Sequence, residues 1–186
     1  MTTATPSTSA VQASSPVLYD MRLEIVIIPV SDVDRAKHFY TQLGWRLDID
    51  FKGSDYRVIQ FTPPGSDCSI MFGKDMTLAA PGSIQGLHLV VSNVEAVRND
   101  LSSRGIAVSE PFHDVGGVFH HADGRQVVTG FNPTRQSYAS YVSFTDPDGN
   151  TWIIQEVTQR LSADLVAGDP RFTTEVVNAI HNTTPN

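Results

Sequence analysis

The sequence predicts an α+β fold of two tandem βαβββ modules, whose curved mixed sheets enclose a central cavity. Three observations lead to this prediction: a segment that occurs twice in register, three strand-like runs after each copy, and a sharp turn before the last strand. Each module would contain one helix and four strands.

The repeated segment reads "IVIIPVSDVDRAKHFYTQLGW" in the first copy and "GLHLVVSNVEAVRNDLSSRGI" in the second. Each copy has an apolar run, then a helical pattern that opens on a capping box and closes on a glycine. The boxes pair Ser31 with Asp34 and Ser92 with Glu95, and the closing glycines are Gly44 and Gly105. The two copies therefore predict equivalent strand and helix pairs.

Strand candidates follow each copy. They are "WRLDIDF", "YRVIQF" and "CSIMFG" after the first, and "IAVSEPFH", "YASYVSF" and "TWIIQEV" after the second. Before the last, Asp146 to Gly149 fit a type I turn, in which Pro147 fixes the second position. A ferredoxin-like βαββαβ order is the alternative, but it needs a helix where the sequence has the glycine-rich "DVGGVFHHADGRQVVTG".

The chain is expected to divide into five parts. Residues 1–20 form a Ser/Thr/Ala/Pro tail without signal-peptide features, which we expect to be disordered. Residues 21–75 are the first module, 76–84 a linker and 85–158 the second module. Residues 159–186 are a tail with a short helix, predicted to begin at Asp169.

Composition narrows the class of protein. The 186 residues carry 13 Lys and Arg against 20 Asp and Glu, a net charge of −7, so no basic surface is expected for nucleic acid. No stretch is apolar enough to predict a membrane helix. The single cysteine, Cys68, forms no intramolecular disulfide, and a cytoplasmic location is expected.

The segments "VSDVDRAKHFYTQLGW", "GLHLVVSNVEAV" and "FTDPDGNTW" resemble the vicinal oxygen chelate superfamily, which includes glyoxalase I, extradiol dioxygenases and bleomycin-resistance proteins. The resemblance covers roughly residues 21 to 158. It implies the glyoxalase/bleomycin resistance-like fold, a small organic ligand between the modules, and a homodimer.

The resemblance also implies where a divalent metal would bind. Members with metal chemistry place ligands on the first and last strands of each module. Those positions fall on Ile25, Gly86 and Ile153, with Ser69 or Met71 as the fourth. None of these is a good ligand for a hard divalent cation. We therefore expect no cofactor, with a divalent metal as the disfavoured alternative.

A shifted metal site is the other possibility. Moving two residues along each strand brings in His88 and Gln155 but only Ile27 on the first strand, which leaves too few ligands. Moving by one residue would aim Glu24 and Glu156 inward, and that requires a bulge on each strand.

Without a metal, His88 and Gln155 remain as polar groups expected to face the cavity. They would fix a ligand by hydrogen bonds, or His88 would act as a general acid or base. Gln60, Met71 and Tyr141 are further candidates for lining the cavity.

The connection from Asp114 to Gln136 is long, and long loops are often functional. It contains "GGVFHHADGR", which could act as a lid over the cavity. The lid would present Phe119 and either His120 or His121 to a ligand, as further catalytic candidates, and Arg125 to a carboxylate.

Three functions are compatible with these residues. The chain could sequester a small organic molecule, as bleomycin-resistance proteins do. It could instead be a metal-independent isomerase or lyase that uses histidine acid/base chemistry. The alternative is a divalent-metal enzyme of the glyoxalase or dioxygenase type with non-standard ligands.

Overall fold

The computed structural model describes residues 20–115, 125–159 and 173–183. The first half contains β1 (Ile25–Ile27), α1 (Val33–Gln42), β2 (Arg46–Lys52), β3 (Arg57–Thr62) and β4 (Ser69–Gly73). The second half contains β5 (Leu87–Val91), α2 (Val94–Ser103), β6 (Phe112–Asp114), β7 (Val127–Thr129), β8 (Ser140–Thr145), β9 (Thr151–Glu156) and α3 (Thr174–Thr183).

The strands form two mixed sheets. The first sheet has the order β1-β4-β3-β2, and the second has the order β5-β9-β8-β6-β7. In each sheet the strand before the helix pairs in parallel with the last strand of its unit, and the other pairs are antiparallel. The predicted α+β fold class is confirmed.

The second sheet contains one more strand than the sequence predicts. Val127–Thr129 lies within the connection that we read as a loop, and it pairs with Phe112–Asp114. The predicted strand "IAVSEPFH" is correspondingly shorter, because Pro111 has no N–H to donate to a ladder. Upstream of Pro111, Val108 makes only an isolated bridge to Phe144.

The helix caps lie one residue later than predicted. Asp32, not Ser31, caps α1, and its carboxylate accepts from the amides of Asp34 and Arg35 at 3.0 Å. Asn93, not Ser92, caps α2. The amide and the hydroxyl of Ser31 instead donate hydrogen bonds to Asp148, which is 117 residues away. The predicted closing glycines, Gly44 and Gly105, both have the positive φ that ends a helix.

All three helices of the described residues have ten residues. The last begins at Thr174, five residues after the predicted cap Asp169. Thr173 accepts a hydrogen bond from the amide of Val176 at its start. None of the described helices combines the length and the apolar character that a membrane crossing requires.

The helix-facing sides of both sheets share one apolar core. Aromatic residues in and just after α1 contact the second sheet: Phe39 lies 6.1 Å from Phe144, and Trp45 lies 5.1 Å from Trp152, between ring centroids. The sheet residues in this core are Ile28, Ile59, Phe61, Ile70 and Phe72 from the first sheet, and Val142, Phe144, Trp152 and Ile154 from the second. The sheets therefore pack through their helix-facing sides, and the opposite sides, which were predicted to enclose the central cavity, face outward within one chain.

The turn before β9 joins the two halves of the chain. Asp146 closes it by accepting from the amides of Asp148, Gly149 and Asn150. The Asn150 side chain then donates to the Pro29 carbonyl at 3.0 Å and accepts from the Ile84 amide at 3.1 Å. The turn thus fixes the loop after β1 against the segment before β5.

Candidate functional site

The side of each sheet that points away from the shared core is its open face. In the first sheet, strand alternation places there the residues between the core positions. Ile27 and Ile49 on this face are 41% and 40% exposed. The first open face comprises Ile25, Ile27, Asp48, Ile49, Gln60, Thr62, Ser69 and Met71. It is an apolar surface with a polar strip.

The polar strip is a chain of hydrogen bonds that ends on Asp48. Gln60 donates from Nε2 to Ser69 Oγ at 3.1 Å, and Ser69 Oγ lies 2.7 Å from Thr62 Oγ1. Thr62 donates to Asp48 Oδ2, and Arg46 donates from Nε to Asp48 Oδ1 at 2.5 Å. We call Gln60, Ser69, Thr62 and Asp48 the polar relay.

A β-bulge places Asp48 in this strip. Leu47 pairs with Phe61 while Ile49 pairs with Gln60, so Asp48 is the extra residue between them. Both Asp48 and Ile49 consequently reach the open face, which a regular strand would not allow for adjacent residues. The bulge brings a carboxylate beside an isoleucine on the same surface.

The carboxylate of Asp48 is held in its charged form. Hydrogen bonds, first from Arg46 and then from Thr62, lower the pKa of Asp48 below its ordinary value. Its side chain is 18% exposed, against 73% for Arg46. The relay therefore presents a stable negative charge, which one exposed cation, Arg46, covers in part.

The second open face contains His88, Val90, Tyr141, Ser143, Ile153 and Gln155. Its polar groups converge on the backbone of Tyr138, whose carbonyl accepts from Tyr141 Oη at 2.6 Å and from Gln155 Nε2 at 2.9 Å. Tyr141 also stacks on Phe112 at 5.6 Å. The turn before β8 thus orients Tyr141 and Gln155, and it covers part of this face.

His88 lies on the edge strand β5, opposite Ile153 on β9. Its side chain is exposed, but the protein atoms around it remove part of its hydration and lower the pKa of His88. This partial loss of hydration therefore favours the neutral imidazole, which can both donate and accept hydrogen bonds.

The structure brings the predicted site residues together in two sets. Gln60 and Met71 are direct partners across β3 and β4. His88, Tyr141 and Gln155 lie on three strands of the second sheet. Both sets point away from the shared core, on separate sheets.

The predicted lid is only partly described. Phe119, His120 and His121 lie outside the described residues, so their roles stay predictions. Arg125 is exposed just before β7.

The positions that the family uses for a metal do not fit one here. Ile25 pairs with Ser69, whose hydroxyl belongs to the polar relay. At Gly86 the backbone amide donates to Thr151 Oγ1 at 2.7 Å, and Ile153 is apolar. Within residues 20–115, 125–159 and 173–183, no three His, Cys, Asp or Glu side chains form a group that could hold a metal.

The one-residue slip that would turn Glu156 to the open face does not occur. Glu156 is buried on the helix side of β9, where it accepts from the amide of Val94 at 3.1 Å and from Arg135 at 2.7 Å. Its carboxylate therefore stabilises the N-terminus of α2, a position that favours negative charge.

The sequence reasoning missed Asp48 and Thr62. Regular alternation in "WRLDIDF" puts Arg46, Asp48 and Asp50 on one face. The structure puts Asp50 on the helix side, where it pairs with Lys37 and Arg57. The alternating charges in this run were the available signal for polar groups on β2. The sequence does not reveal the bulge, which turns Asp48 and Asp50 to opposite faces.

A separate cleft of about 250 Å³ opens between the two halves on the side of the core. Its walls include Leu43, Trp45, Pro63, Val97 and Leu101, with Asp100 and Arg104 also on its lining. None of the predicted site residues that the structure describes lines it.

Two βαβββ units, the second extended by one strand, define the class of this protein. Residues 22–154 match the Glyoxalase/Bleomycin resistance protein/Dioxygenase superfamily. Because the match spans most of the 186 residues, the chain belongs to this superfamily.

Solved structures with this fold include two from Streptomyces sp. CB03234. One is TnmS3, an antibiotic binding protein, with 27% identity, a TM-score of 0.55, and coverage of 76% of this chain and 99% of that one. The other is a glyoxalase/bleomycin resistance protein with 29% identity, a TM-score of 0.52, and coverage of 73% and 100%.

A superfamily member from Sphaerobacter thermophilus DSM 20745 has 22% identity and a TM-score of 0.52, over 74% of this chain and 98% of that one. This likeness concerns the fold alone. The search of curated proteins found no match.

Proposed function

We propose that this protein binds a small, largely apolar organic molecule on its open faces and sequesters it without a divalent metal. The observation that carries the proposal is the character of these faces. Exposed isoleucines surround a few oriented polar groups, as in small-molecule sites, and the family's metal positions are occupied by residues that do not bind cations.

The comparison with TnmS3 favours ligand binding without a catalysed reaction. That protein is described as an antibiotic binding protein, and this chain matches 99% of its length. In the second open face, Gln155 and Tyr141 are tied to the carbonyl of Tyr138, which suits them to orient a ligand. An antibiotic or a similar aromatic compound is the class of ligand we propose.

The open faces also favour a homodimer. Within one chain both faces point away from the shared core, and each displays apolar side chains: Ile27 on the first and Val90, 46% exposed, on the second. A two-fold axis would set the first sheet of one copy against the second sheet of the other, twice. Each cavity would then take its walls from both copies.

Proton transfer by His88 is the second candidate function, as a metal-independent isomerase or lyase. Its lowered pKa leaves a neutral imidazole that could accept a proton at pH 7. Turnover of a bound compound that is lost in His88→Ala, with affinity retained, would favour this function over sequestration.

Binding of 1-naphthalenemethanol to protein treated with a chelator and dialysed tests the leading proposal, by calorimetry. We expect binding that added Zn²⁺ or Ni²⁺ does not change. Ile27→Arg places a charge on the open face and should weaken binding at least tenfold. The control, Leu78→Arg, adds the same charge at a fully exposed position and should bind as the unmodified protein does.

Two results would contradict the proposal. Binding that appears only with a divalent cation would favour the metal-dependent alternative. Equal affinity in Ile27→Arg and the unmodified protein would place the ligand elsewhere.

A further inference from the structure

We propose that Asp48 is the specificity-determining residue of the first open face, and that it selects ligands that carry a protonated amine beside an apolar body. The inference rests on the proposed function, because it assigns a charge preference to the same binding face. Arg46 occupies the place of the ligand's cation until the ligand binds.

The polar relay has one consistent direction of hydrogen bonding. Thr62 gives its single hydroxyl proton to Asp48, so Ser69 must donate to Thr62, and Gln60 then donates to Ser69. Every donor in the relay is aimed toward the carboxylate of Asp48. The relay therefore stabilises a negative charge at this point of the face.

Asp48 has capacity for a further donor. A carboxylate has about four lone-pair sites. Arg46 and Thr62 each donate a hydrogen bond to one of its oxygens, and the Gln60 side chain also contributes to lowering its pKa. An ammonium group that reaches the open face can thus bond to Asp48 directly.

Arg46 is suited to give way to such a group. Its side chain is 73% exposed, and the bond to Asp48 comes from Nε alone, without the paired contact that makes arginine ion pairs strong. An exposed pair of this kind contributes little to stability. Replacing Arg46 by a ligand cation therefore costs little, while the cation gains a carboxylate that the relay has already oriented.

The surroundings of Asp48 supply the apolar part of the recognition. Ile49 follows it on the same face because of the bulge. Beyond β3 the same face continues with Met71 on β4 and Ile27 on β1. An aromatic body resting on Ile49 and extending across β3 toward Met71 would bring an attached amine to Asp48.

The experiment compares two probes of nearly equal shape, 1-naphthylmethylamine, which is protonated at pH 7, and 1-naphthalenemethanol, which is neutral. Affinities are measured by calorimetry at low and high salt. In the unmodified protein the amine should bind about tenfold more tightly than the alcohol, because a charge-assisted hydrogen bond is the stronger one. High salt should reduce that preference.

The two variants, at Asp48 and at Arg46, should change the affinity for the amine in opposite directions. Asp48→Asn should abolish the preference for the amine, so that the two probes bind with similar affinity. Arg46→Met should strengthen binding of the amine, because the competing cation is gone. Asp55→Asn and Lys74→Met change the same charges at exposed positions and should keep the tenfold preference.

The outcomes separate the two proposals. If both probes bind equally well and Asp48→Asn changes neither affinity, the role of Asp48 is wrong and the binding function stands. If Arg46→Met weakens binding of the amine, Arg46 contributes to the site and is not displaced by the ligand. That result overturns the inference. If neither probe binds, the proposed function fails and the inference fails with it.

Discussion

The phenol of Tyr40 donates a hydrogen bond to Asp146 Oδ2 at 3.0 Å, and both side chains are buried. Tyr40 belongs to α1, in the first half of the chain, and Asp146 opens the turn before β9 in the second. The same carboxylate oxygen accepts from Asn150 at 2.8 Å. This bond connects the helix of one unit to the turn of the other, inside the shared core.

Removing the phenol oxygen should destabilise the protein measurably. In Tyr40→Phe, Asp146 loses a buried donor, and a hydrogen bond to a charged group contributes about 1.5 to 3 kcal/mol. We expect the free energy of unfolding in urea to fall by that amount. Tyr56→Phe is the control, because Tyr56 is 46% exposed, and its effect should stay within about 0.5 kcal/mol. Equal effects for the two variants would contradict the role of this bond.

Alkaline pH should destabilise the protein through the same residue. Burial, and then the negative charge of Asp146, raise the pKa of Tyr40 far above its ordinary value. The folded state keeps the proton while the unfolded state releases it above about pH 10. The contribution of Tyr40 to stability should therefore be constant below pH 10 and fall as pH rises beyond it, measured by urea midpoints from pH 8 to 11. In Tyr40→Phe the fall should be smaller.

Asp50 should contribute to loss of stability in acid. Hydrogen bonds from Arg57 and then Lys37 lower the pKa of Asp50, so its contribution is present above about pH 4 and is lost as pH falls below that value. Asp50→Asn should lower the urea midpoint at pH 7 and reduce its further decline between pH 4 and pH 2. Asp55→Asn, at an exposed turn, should have the same urea midpoints as the unmodified protein, both at pH 7 and between pH 4 and pH 2.

The proposed dimer is testable by sedimentation velocity. Ile27→Arg introduces a charge into the apolar first open face and should shift the protein from dimer to monomer. Leu78→Arg adds the same charge outside that face and should remain dimeric. A monomeric unmodified protein, or a dimeric Ile27→Arg variant, would contradict the arrangement in which the two open faces meet.

The repeated pattern predicted the fold because its signals are local. Gly44 and Gly105 end the helices where expected, since only a positive φ closes them at that point. The cap of α1 lies one residue later than predicted because Ser31 hydrogen-bonds to a distant partner, Asp148, which no local pattern indicates.

The candidate site was less predictable, because it depends on which face of the sheet each side chain occupies and on the register in which the strands pair. Gln60, Met71 and Gln155 lie on the strands predicted for them, and alternation gave the facing of Met71 and Gln155 but not that of Gln60. The face of Asp48 depends on a bulge, and the short strand Val127–Thr129 depends on its pairing with β6. Both features arise from contacts between strands, which the order of residues does not record.

The most direct test of ligand binding on the open faces is a titration of metal-free protein with 1-naphthalenemethanol, followed through amide chemical shifts. Our account predicts that the shifts concentrate at Gln60 and Met71 on the first sheet and at His88 and Gln155 on the second. Shifts confined to the cleft around Trp45, Val97 and Leu101, or no shifts until a divalent cation is added, would contradict it.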